Sequence, residues 1–213
     1  MRFPPGPVTN AIVAINVAIA AILLVPIWWQ QAVLAAALIP ARFSSEGLAF
    51  ADAGGMLPAI LTPVSAAFLH GGIAHVALNM LMLLLIGKMV ERVLGGPLYL
   101  VLYLLGAYGA ALAEWGASPL SVTPVIGASG AISAIIGAYV VLFPNKQPKN
   151  WGPIPASVAR SIHLLVAWAA LNLAIGFVAP DLGLGIAIWS HIGGFCVGLV
   201  LARPLLLWRY RKA

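Results

Sequence analysis

Charged side chains are scarce in this chain of 213 residues, because only 8% are charged and just five are acidic, whereas 62% are hydrophobic. Soluble domains carry about 25% charged residues, so this composition excludes an ordinary soluble domain. The lone cysteine, Cys196, excludes an intrachain disulfide framework. The mean hydropathy of +1.05 instead predicts a membrane protein.

Long apolar runs account for most of the chain. A membrane-spanning helix needs about 20 apolar residues, and the sequence offers six candidates: Val8–Ile27, Ile73–Val93, Pro97–Glu114, Ser129–Phe143, Ser161–Val178 and Gly185–Leu207. Prolines interrupt the long connection from Trp28 to Leu69, which favours short helices at the membrane interface. The predicted fold class is therefore an all-α membrane bundle of six transmembrane helices, with a long first outer loop containing interfacial helices. We expect a single membrane domain over residues 1–213.

The basic residues predict the orientation of this bundle. With six spans, all of the 11 Lys and Arg residues except Arg42 fall on one face. The positive-inside rule then places both termini in the cytoplasm, as in a bacterial-type inner membrane. Because orientation explains the net charge of +6, we predict the lipid bilayer as a partner and no nucleic acid.

Four polar residues lie at similar depths within three of the apolar runs. At about 1.5 Å per helical residue, Ser129 lies roughly 25 Å, His75 roughly 20 Å and His191 roughly 18 Å from the nearest cytoplasmic cation on its own helix. Asn79 lies one turn below His75. The hydrocarbon core is about 30 Å thick, so all four fall in its outer half. Polar groups at that depth are costly and indicate a functional site.

The segment before Ser129 favours irregular backbone, since it contains Pro119, Pro124 and Gly127, and Gly130 follows the serine. Irregular backbone at membrane depth is tolerated where it is buried in protein or lines a water-filled cavity. We therefore predict a cavity that opens to the outer side, with Ser129 at a helix N-terminus. Free backbone N–H groups at that end would suit a developing oxyanion.

These residue types suggest acyl-transfer chemistry. A serine hydroxyl becomes a strong nucleophile when a base takes its proton, and His191 is the best candidate base for Ser129. His75 and Asn79 share one helix face at spacing i, i+4 and can both donate hydrogen bonds to negative charge. Since Glu114 is predicted near a loop end, the site is expected to be a Ser–His dyad.

Two glycines support this arrangement. Gly194 and Gly198 form a G-x-x-x-G pattern on the helix that carries His191. Small residues at this spacing let two membrane helices approach closely. We therefore expect the sixth span to pack against the fourth, so that His191 reaches Ser129.

Taken together, these patterns resemble the rhomboid intramembrane serine proteases. The resemblance runs from about Phe68 to Leu201 in four ordered pieces. They are His70 to Met80, similar to the HGGxxHxxxNM pattern; Gly87 to Glu91 with Gly95, similar to the glycine–glutamate signature; Gly127 to Ala131, similar to the nucleophile motif; and His191 with Gly194 and Gly198.

The resemblance implies a role for each residue. Ser129 would be the nucleophile and His191 its base, with an oxyanion hole formed by His75, Asn79 and the Ser129 backbone N–H. His70 would support the structure near the outer loop. Family members cut peptide bonds in or beside transmembrane helices of protein substrates, favour small residues at the cut, and use no cofactor.

The chain departs from the family pattern at two places. Leu61-Thr62-Pro63-Val64 stands where the family often has a Trp-Arg pair, so the anchoring of the first loop is expected to differ. Ser133 stands one turn after the nucleophile, where an aromatic often packs on the base. The orientation of His191 is therefore expected to rest on other groups or on helix packing.

Three other residues or segments have simpler interpretations. Asn172 is predicted to form a helix–helix hydrogen bond. Glu91 is predicted to pair locally or to cap the cytoplasmic end of its own helix. A membrane-embedded substrate needs a side entrance, and the fifth span with the loop from Gly176 to Gly185 is our hypothesis for it.

Alternative functions remain open at this point. A non-enzymatic rhomboid-like protein would bind membrane segments without cutting them, although the presence of both Ser129 and His191 argues against it. A transporter would use the same polar residues as a pathway, but there is no inverted repeat and no buried acid to relay protons. A metal site fits less well, with one cysteine, no buried carboxylate and no close histidine pair.

Overall fold

The computed structural model describes residues 5–44, 57–144, 152–178 and 187–211. Within these ranges the regular elements are helices, and an isolated antiparallel bridge joins Leu38 to Val125. Several features used above lie outside the described residues: Arg2, Lys146, Lys149 and Lys212, the predicted start of the sixth span at Gly185, and the part of the proposed side entrance beyond Val178.

The main helices include one for each predicted run, with two more between the first and second runs. In chain order the main helices are α1 (Pro7–Ile22), α2 (Pro26–Ala36), α3 (Ala59–Phe68), α4 (Ile73–Leu94), α5 (Gly96–Ala117), α6 (Ser129–Leu142), α7 (Ala156–Val178) and α8 (Ile188–Arg209). Helices α4, α5 and α8 are long and apolar enough to cross a membrane, whereas α1, α6 and residues 158–173 of α7 form shorter apolar helices. The described part of the fold is therefore a helical bundle, and six crossings remain a prediction.

The first apolar run is divided between two helices. The prediction of one helix over Val8–Ile27 was wrong at its C-terminal end, because α1 ends at Ile22 and Pro26 begins α2. Proline lacks an N–H and favours the first position of a new helix. The connection after α1 contains α2, a 3-10 turn at Pro40–Phe43 and α3. Short helices are therefore present there, and their position at the membrane interface stays a prediction.

Helix α6 lies at the centre of the bundle, where it packs between α5 and α8. Every residue from Gly130 to Ile135 is buried. The helix has 14 residues, which corresponds to about 21 Å, less than the hydrocarbon thickness. Because neighbouring helices surround it, α6 can begin deep within the bundle.

Glycines bring α8 against the backbone of α6. A Cβ at Gly194 would overlap the carbonyl oxygen of Gly130, and a Cβ at Gly198 would overlap the carbonyl oxygen of Ala134. Any larger residue at either position must therefore push the helices apart. This is the contact between the fourth and sixth spans that the G-x-x-x-G spacing predicts.

Both ends of the described chain meet at one end of the bundle. Gly6, just before α1, packs on the Lys88 side chain. Arg209, at the end of α8, donates from Nη1 to the carbonyl oxygen of Arg92 at 2.8 Å. The start of α1 and the end of α8 therefore lie beside the same basic segment of α4.

Glu91 joins α4 to the start of α1. Its carboxylate is only 3% exposed and accepts hydrogen bonds from the backbone N–H of Val8 (2.9 Å), the N–H of Thr9 (2.8 Å) and the Thr9 hydroxyl (2.7 Å). The prediction that Glu91 pairs locally or caps its own helix was wrong. The carboxylate instead satisfies free N–H groups at the N-terminus of another helix, where negative charge is favourable.

Replacement of Glu91 by alanine should lower the free energy of unfolding by about 2–3 kcal/mol, because buried donors on α1 lose a charged acceptor. Reversible unfolding in bicelles, followed by steric trapping, would measure this loss. Glu91→Gln keeps an acceptor oxygen and should lose less. Equal stability of the alanine and wild-type proteins would contradict this role.

Candidate active site

Ser129 and His191 meet where α6 begins. The Ser129 Oγ lies 2.8 Å from the His191 Nε2, although the two residues are on different helices. Both side chains are partly accessible rather than sealed in the core. The two atoms are therefore within hydrogen-bond distance, as a nucleophile and its base must be.

The other ring nitrogen of His191 also has a partner. Its Nδ1 lies 2.7 Å from the Asn172 Oδ1 on α7, and the Asn172 Nδ2 donates to the Trp168 carbonyl oxygen at 2.9 Å. Asn172 does form the predicted helix–helix hydrogen bond, but the sequence did not identify His191 as its partner. The sequence feature that could have pointed to this contact is the polar amide of Asn172 in an otherwise apolar segment.

His75 approaches the site across Gly127. The Gly71 N–H donates to the His75 Nδ1 at 3.3 Å. A Cβ at Gly127 would lie 2.7 Å from the His75 Nε2 and 3.7 Å from the Ser129 Oγ, and the φ of Gly127 is 117°. Only glycine suits both this left-handed backbone and this close approach, so Gly127 lets the imidazole lie against the loop before Ser129.

Two further donors belong to the same region. Asn79 is buried, and its Nδ2 donates to the His75 carbonyl oxygen at 3.0 Å, which leaves a second N–H on the amide. Helix α6 has no side-chain cap at Ala128. The first backbone N–H groups of α6, including that of Ser129, therefore have no partner within the helix.

His70 packs beside His75 and connects to the first loop. The two rings meet edge to face with centroids 5.0 Å apart, and the His70 carbonyl oxygen accepts from the Trp29 Nε1 at 3.0 Å. Burial and the neighbouring His75 lower the pKa of His70 to about 4. His70 is therefore uncharged at neutral pH, and a neutral ring lies beside His75.

The first loop holds the irregular segment that leads to Ser129. The Val125 N–H donates to the Leu38 carbonyl oxygen at 2.7 Å, and the Gly127 N–H donates to the Ala66 carbonyl oxygen at 2.9 Å. These bonds satisfy backbone groups that a helix would otherwise pair internally. They also fix the position at which α6 begins.

A small cavity of about 30 Å³ adjoins Ser129. Its lining consists mainly of small and apolar residues: Leu38, Pro63, Ala66, Ala67, Ala107, Ala110, Ala111, Val125, Ile126, Gly127, Ser129, Gly130, Ala131, Ala187 and Ser190. A water molecule needs about 10–15 Å³ measured in this way. The cavity therefore has room for about two waters or a small side chain beside the hydroxyl.

Glu114 lies closer to the site than its predicted position near a loop end suggested. Its carboxylate accepts hydrogen bonds from the backbone N–H and the hydroxyl of Ser190, both at 3.0 Å. Ser190 precedes His191, so Glu114 caps the first turn of α8 from α5. The ring nitrogens of His191 bond to Ser129 and Asn172 instead.

Two premises of the argument against a metal site were wrong. Glu91 is a buried carboxylate, and His70 lies close to His75. Even so, among the described residues no three His, Cys, Asp or Glu side chains are grouped so that they could hold a metal ion.

Comparison with known proteins identifies the family. The sequence model of the rhomboid domain matches residues 58–208. The chain is 35% identical over 144 residues to RHOMBOID-like protein 4 of Arabidopsis thaliana, covering 68% of this chain and 34% of that protein. It is 33% identical over 147 residues to Rhomboid protease GluP of Bacillus subtilis (strain 168), covering 68% and 26%.

A third relative extends the comparison. Rhomboid protease GlpG of Pectobacterium atrosepticum is 34% identical over 138 residues, covering 65% of this chain and 46% of that protein. The matches thus span about a quarter to a half of the relatives' own lengths. Since the domain match covers more than half of this chain and includes α4 to α8, the chain belongs to the rhomboid family of multi-pass integral membrane proteins.

Proposed function

We propose that this chain is an intramembrane serine endopeptidase in which Ser129 is the nucleophile and His191 the general base. The observation that carries the proposal is the 2.8 Å contact between the Ser129 Oγ and the His191 Nε2 beside a cavity. Family membership supports the same reaction class, because two of the relatives are named rhomboid proteases.

The first half of the reaction forms an acyl-enzyme. The Ser129 Oγ attacks the carbonyl carbon of the peptide bond while its proton moves to the His191 Nε2. The tetrahedral intermediate then collapses, the C–N bond breaks, and His191 gives the proton to the departing amine. Ser129 is left as an ester of the N-terminal part of the substrate.

The oxyanion of that intermediate would face three donors: the Ser129 backbone N–H, the His75 Nε2–H and the Asn79 amide. Because the Gly71 N–H donates to the His75 Nδ1, the proton of a neutral His75 ring lies on Nε2. That nitrogen lies against Gly127, beside Ser129. Donors fixed in place before the reaction stabilise developing charge without reorganisation.

The second half of the reaction requires water. The cavity beside Ser129 has room for it, and His191 would deprotonate this water as it attacks the ester carbon. The bond from that carbon to the Ser129 Oγ then breaks, His191 returns the proton to the Oγ, and the N-terminal part of the substrate leaves as a carboxylic acid. The alanine-rich lining also suits a small side chain next to the cleaved bond. We therefore propose membrane-protein substrates with small residues at the cut, and no cofactor.

The proposed setting is a bilayer in which both termini of the chain are cytoplasmic. The described cations Lys88, Arg92 and Arg209 gather at one end of the bundle, and the positive-inside rule makes that end cytoplasmic. Ser129 lies at the start of α6, away from the end of the bundle that carries these cations, and would face the outer half of the membrane.

Ser129→Ala and His191→Ala should each abolish cleavage of a transmembrane reporter in proteoliposomes, because one removes the nucleophile and the other its base. Ser133→Ala is a matched control, since Ser133 lies one turn away on α6 and its hydroxyl bonds to the Ser129 carbonyl oxygen at 2.8 Å. Cleavage by either site variant, with the fold intact, would reject the proposal.

Asn79→Ala should raise the barrier to cleavage by about 2.7–4 kcal/mol, or on the order of 10²–10³-fold in rate, as loss of one oxyanion donor does. The steady-state rate with the same reporter measures this loss. A rate near that of the wild type would remove Asn79 from the oxyanion hole.

Gly194→Ala should slow cleavage on the order of 10²-fold, the loss typical of a displacement of about 1 Å at a reacting pair. The added methyl group would push α8 away from Gly130 and draw His191 from Ser129. Gly116→Ala is the control, because no heavy atom lies within 4 Å of the added Cβ. Equal rates for the two variants would show that the close helix contact does not position the base.

A further inference from the structure

We propose that Asn172 is the positioning residue for His191, so that the site works as a Ser129–His191–Asn172 chain whose third member is supplied by α7. The inference rests on the proposed protease function and adds to it. A dyad needs no third group, yet the second ring nitrogen of His191 is bonded at 2.7 Å to an amide that is 3% exposed.

The orientation of the Asn172 amide follows from its second contact. Its Nδ2 lies 2.9 Å from the Trp168 carbonyl oxygen, and a carbonyl oxygen can only accept. The NH₂ group must therefore face Trp168, which turns Oδ1 toward His191. An amide flip would place NH₂ against the imidazole and one oxygen against another.

That orientation determines the tautomer of the base. Because the Asn172 Oδ1 can only accept, the His191 Nδ1 must carry the proton. In the neutral ring Nε2 is then unprotonated and faces the Ser129 hydroxyl at 2.8 Å. Asn172 thus holds His191 in the one neutral form that can accept the serine proton, and its oxygen continues to accept when the ring becomes an imidazolium.

The residues around His191 explain why this chain needs such a group. Ser133 stands one turn after Ser129, and its hydroxyl turns to the Ser129 carbonyl oxygen. Because the Ser133 side chain is small, the backbone at Gly194 can approach it closely. A Cβ added at Gly194 would lie 3.3 Å from the Ser133 Cβ. No aromatic ring at this position restrains the imidazole, and the bond to Asn172 supplies that restraint from α7.

Helix α7 is also fixed to the same turn of α8 by Trp168. The indole Nε1 donates to the His191 carbonyl oxygen at 3.2 Å, and the ring stacks on Phe195 with centroids 5.1 Å apart. Trp168 and Asn172 therefore set the distance between the two helices at the base. Any outward movement of α7 would withdraw the acceptor from His191 and leave the proton free to move between its two nitrogens.

Asn172→Leu tests this role, because leucine has a similar size and no acceptor. The matched control is Asn16→Leu, since Asn16 is a buried amide on α1 whose Nδ2 donates to the Ile12 carbonyl oxygen at 2.9 Å rather than to a residue of the Ser129–His191–Asn172 chain. Each variant is placed in lipid nanodiscs and compared with the wild type. The measured quantities are kcat and KM for the reporter and the rate at which a small fluorophosphonate labels Ser129.

Asn172→Leu should lower both kcat and the labelling rate on the order of 10²-fold, as misplacement of a catalytic group does, with KM unchanged. Asn172→Asp retains an oxygen and should recover part of both rates. The control should match the wild type per folded molecule. Normal labelling of Asn172→Leu, with or without slower reporter cleavage, would overturn the proposal. The small probe reaches Ser129 without the wide opening that a substrate helix needs, so its labelling rate reports on the Ser129–His191 pair itself.

Imidazole ¹⁵N spectra give a readout that a purely structural role would not change. The chain has four histidines, so the His191 signals can be assigned by substitution. In the wild type the spectrum should show the Nδ1–H tautomer, and in Asn172→Leu a mixture of the two. If the His191 Nδ1 of the wild type carries no proton, the inference is contradicted even if no variant folds. A folded wild type that neither cleaves the reporter nor reacts with the fluorophosphonate would instead contradict the protease proposal itself.

Discussion

The backbone contact between α6 and α8 is the constraint on which the site depends. Gly194 and Gly198 bring α8 onto the carbonyl oxygens of Gly130 and Ala134, closer than any side chain would permit. Only at this separation can the hydroxyl at the start of α6 reach an imidazole on α8 at 2.8 Å. The short, buried α6 follows from the same constraint, because a helix surrounded by protein does not need the length of a lipid-facing span.

Several buried polar groups in this apolar bundle are paired across helices, which offsets the cost of burying them. Glu91 binds the start of α1, Glu114 binds the start of α8, and the first loop accepts the N–H groups of Val125 and Gly127. These contacts leave the irregular segment before Ser129 well defined without making it helical. The rigid surroundings hold the backbone donors of α6 at the position where charge would develop.

Local patterns in the sequence predicted much of this arrangement. The start of α6 at Ser129, the irregular segment before it and the close packing of Gly194 are encoded by neighbouring glycines and prolines. The partner of Glu91 was predicted wrongly, and the hydrogen bond of Asn172 to another helix was predicted without its partner. Both partners lie on other helices and depend on how the helices pack. The end of α1 at Ile22 was also missed, since the apolar run continues past it.

Membership of the rhomboid family defines the kind of fold, whereas the chemistry rests on individual atoms around Ser129. The most direct test is an experimental structure of the protein after reaction with a fluorophosphonate. The account predicts a covalent bond from the phosphorus to the Ser129 Oγ, with the phosphoryl oxygen within hydrogen-bond distance of the Ser129 N–H and the His75 Nε2. An adduct on another residue, or a phosphoryl oxygen turned away from both donors, would contradict it.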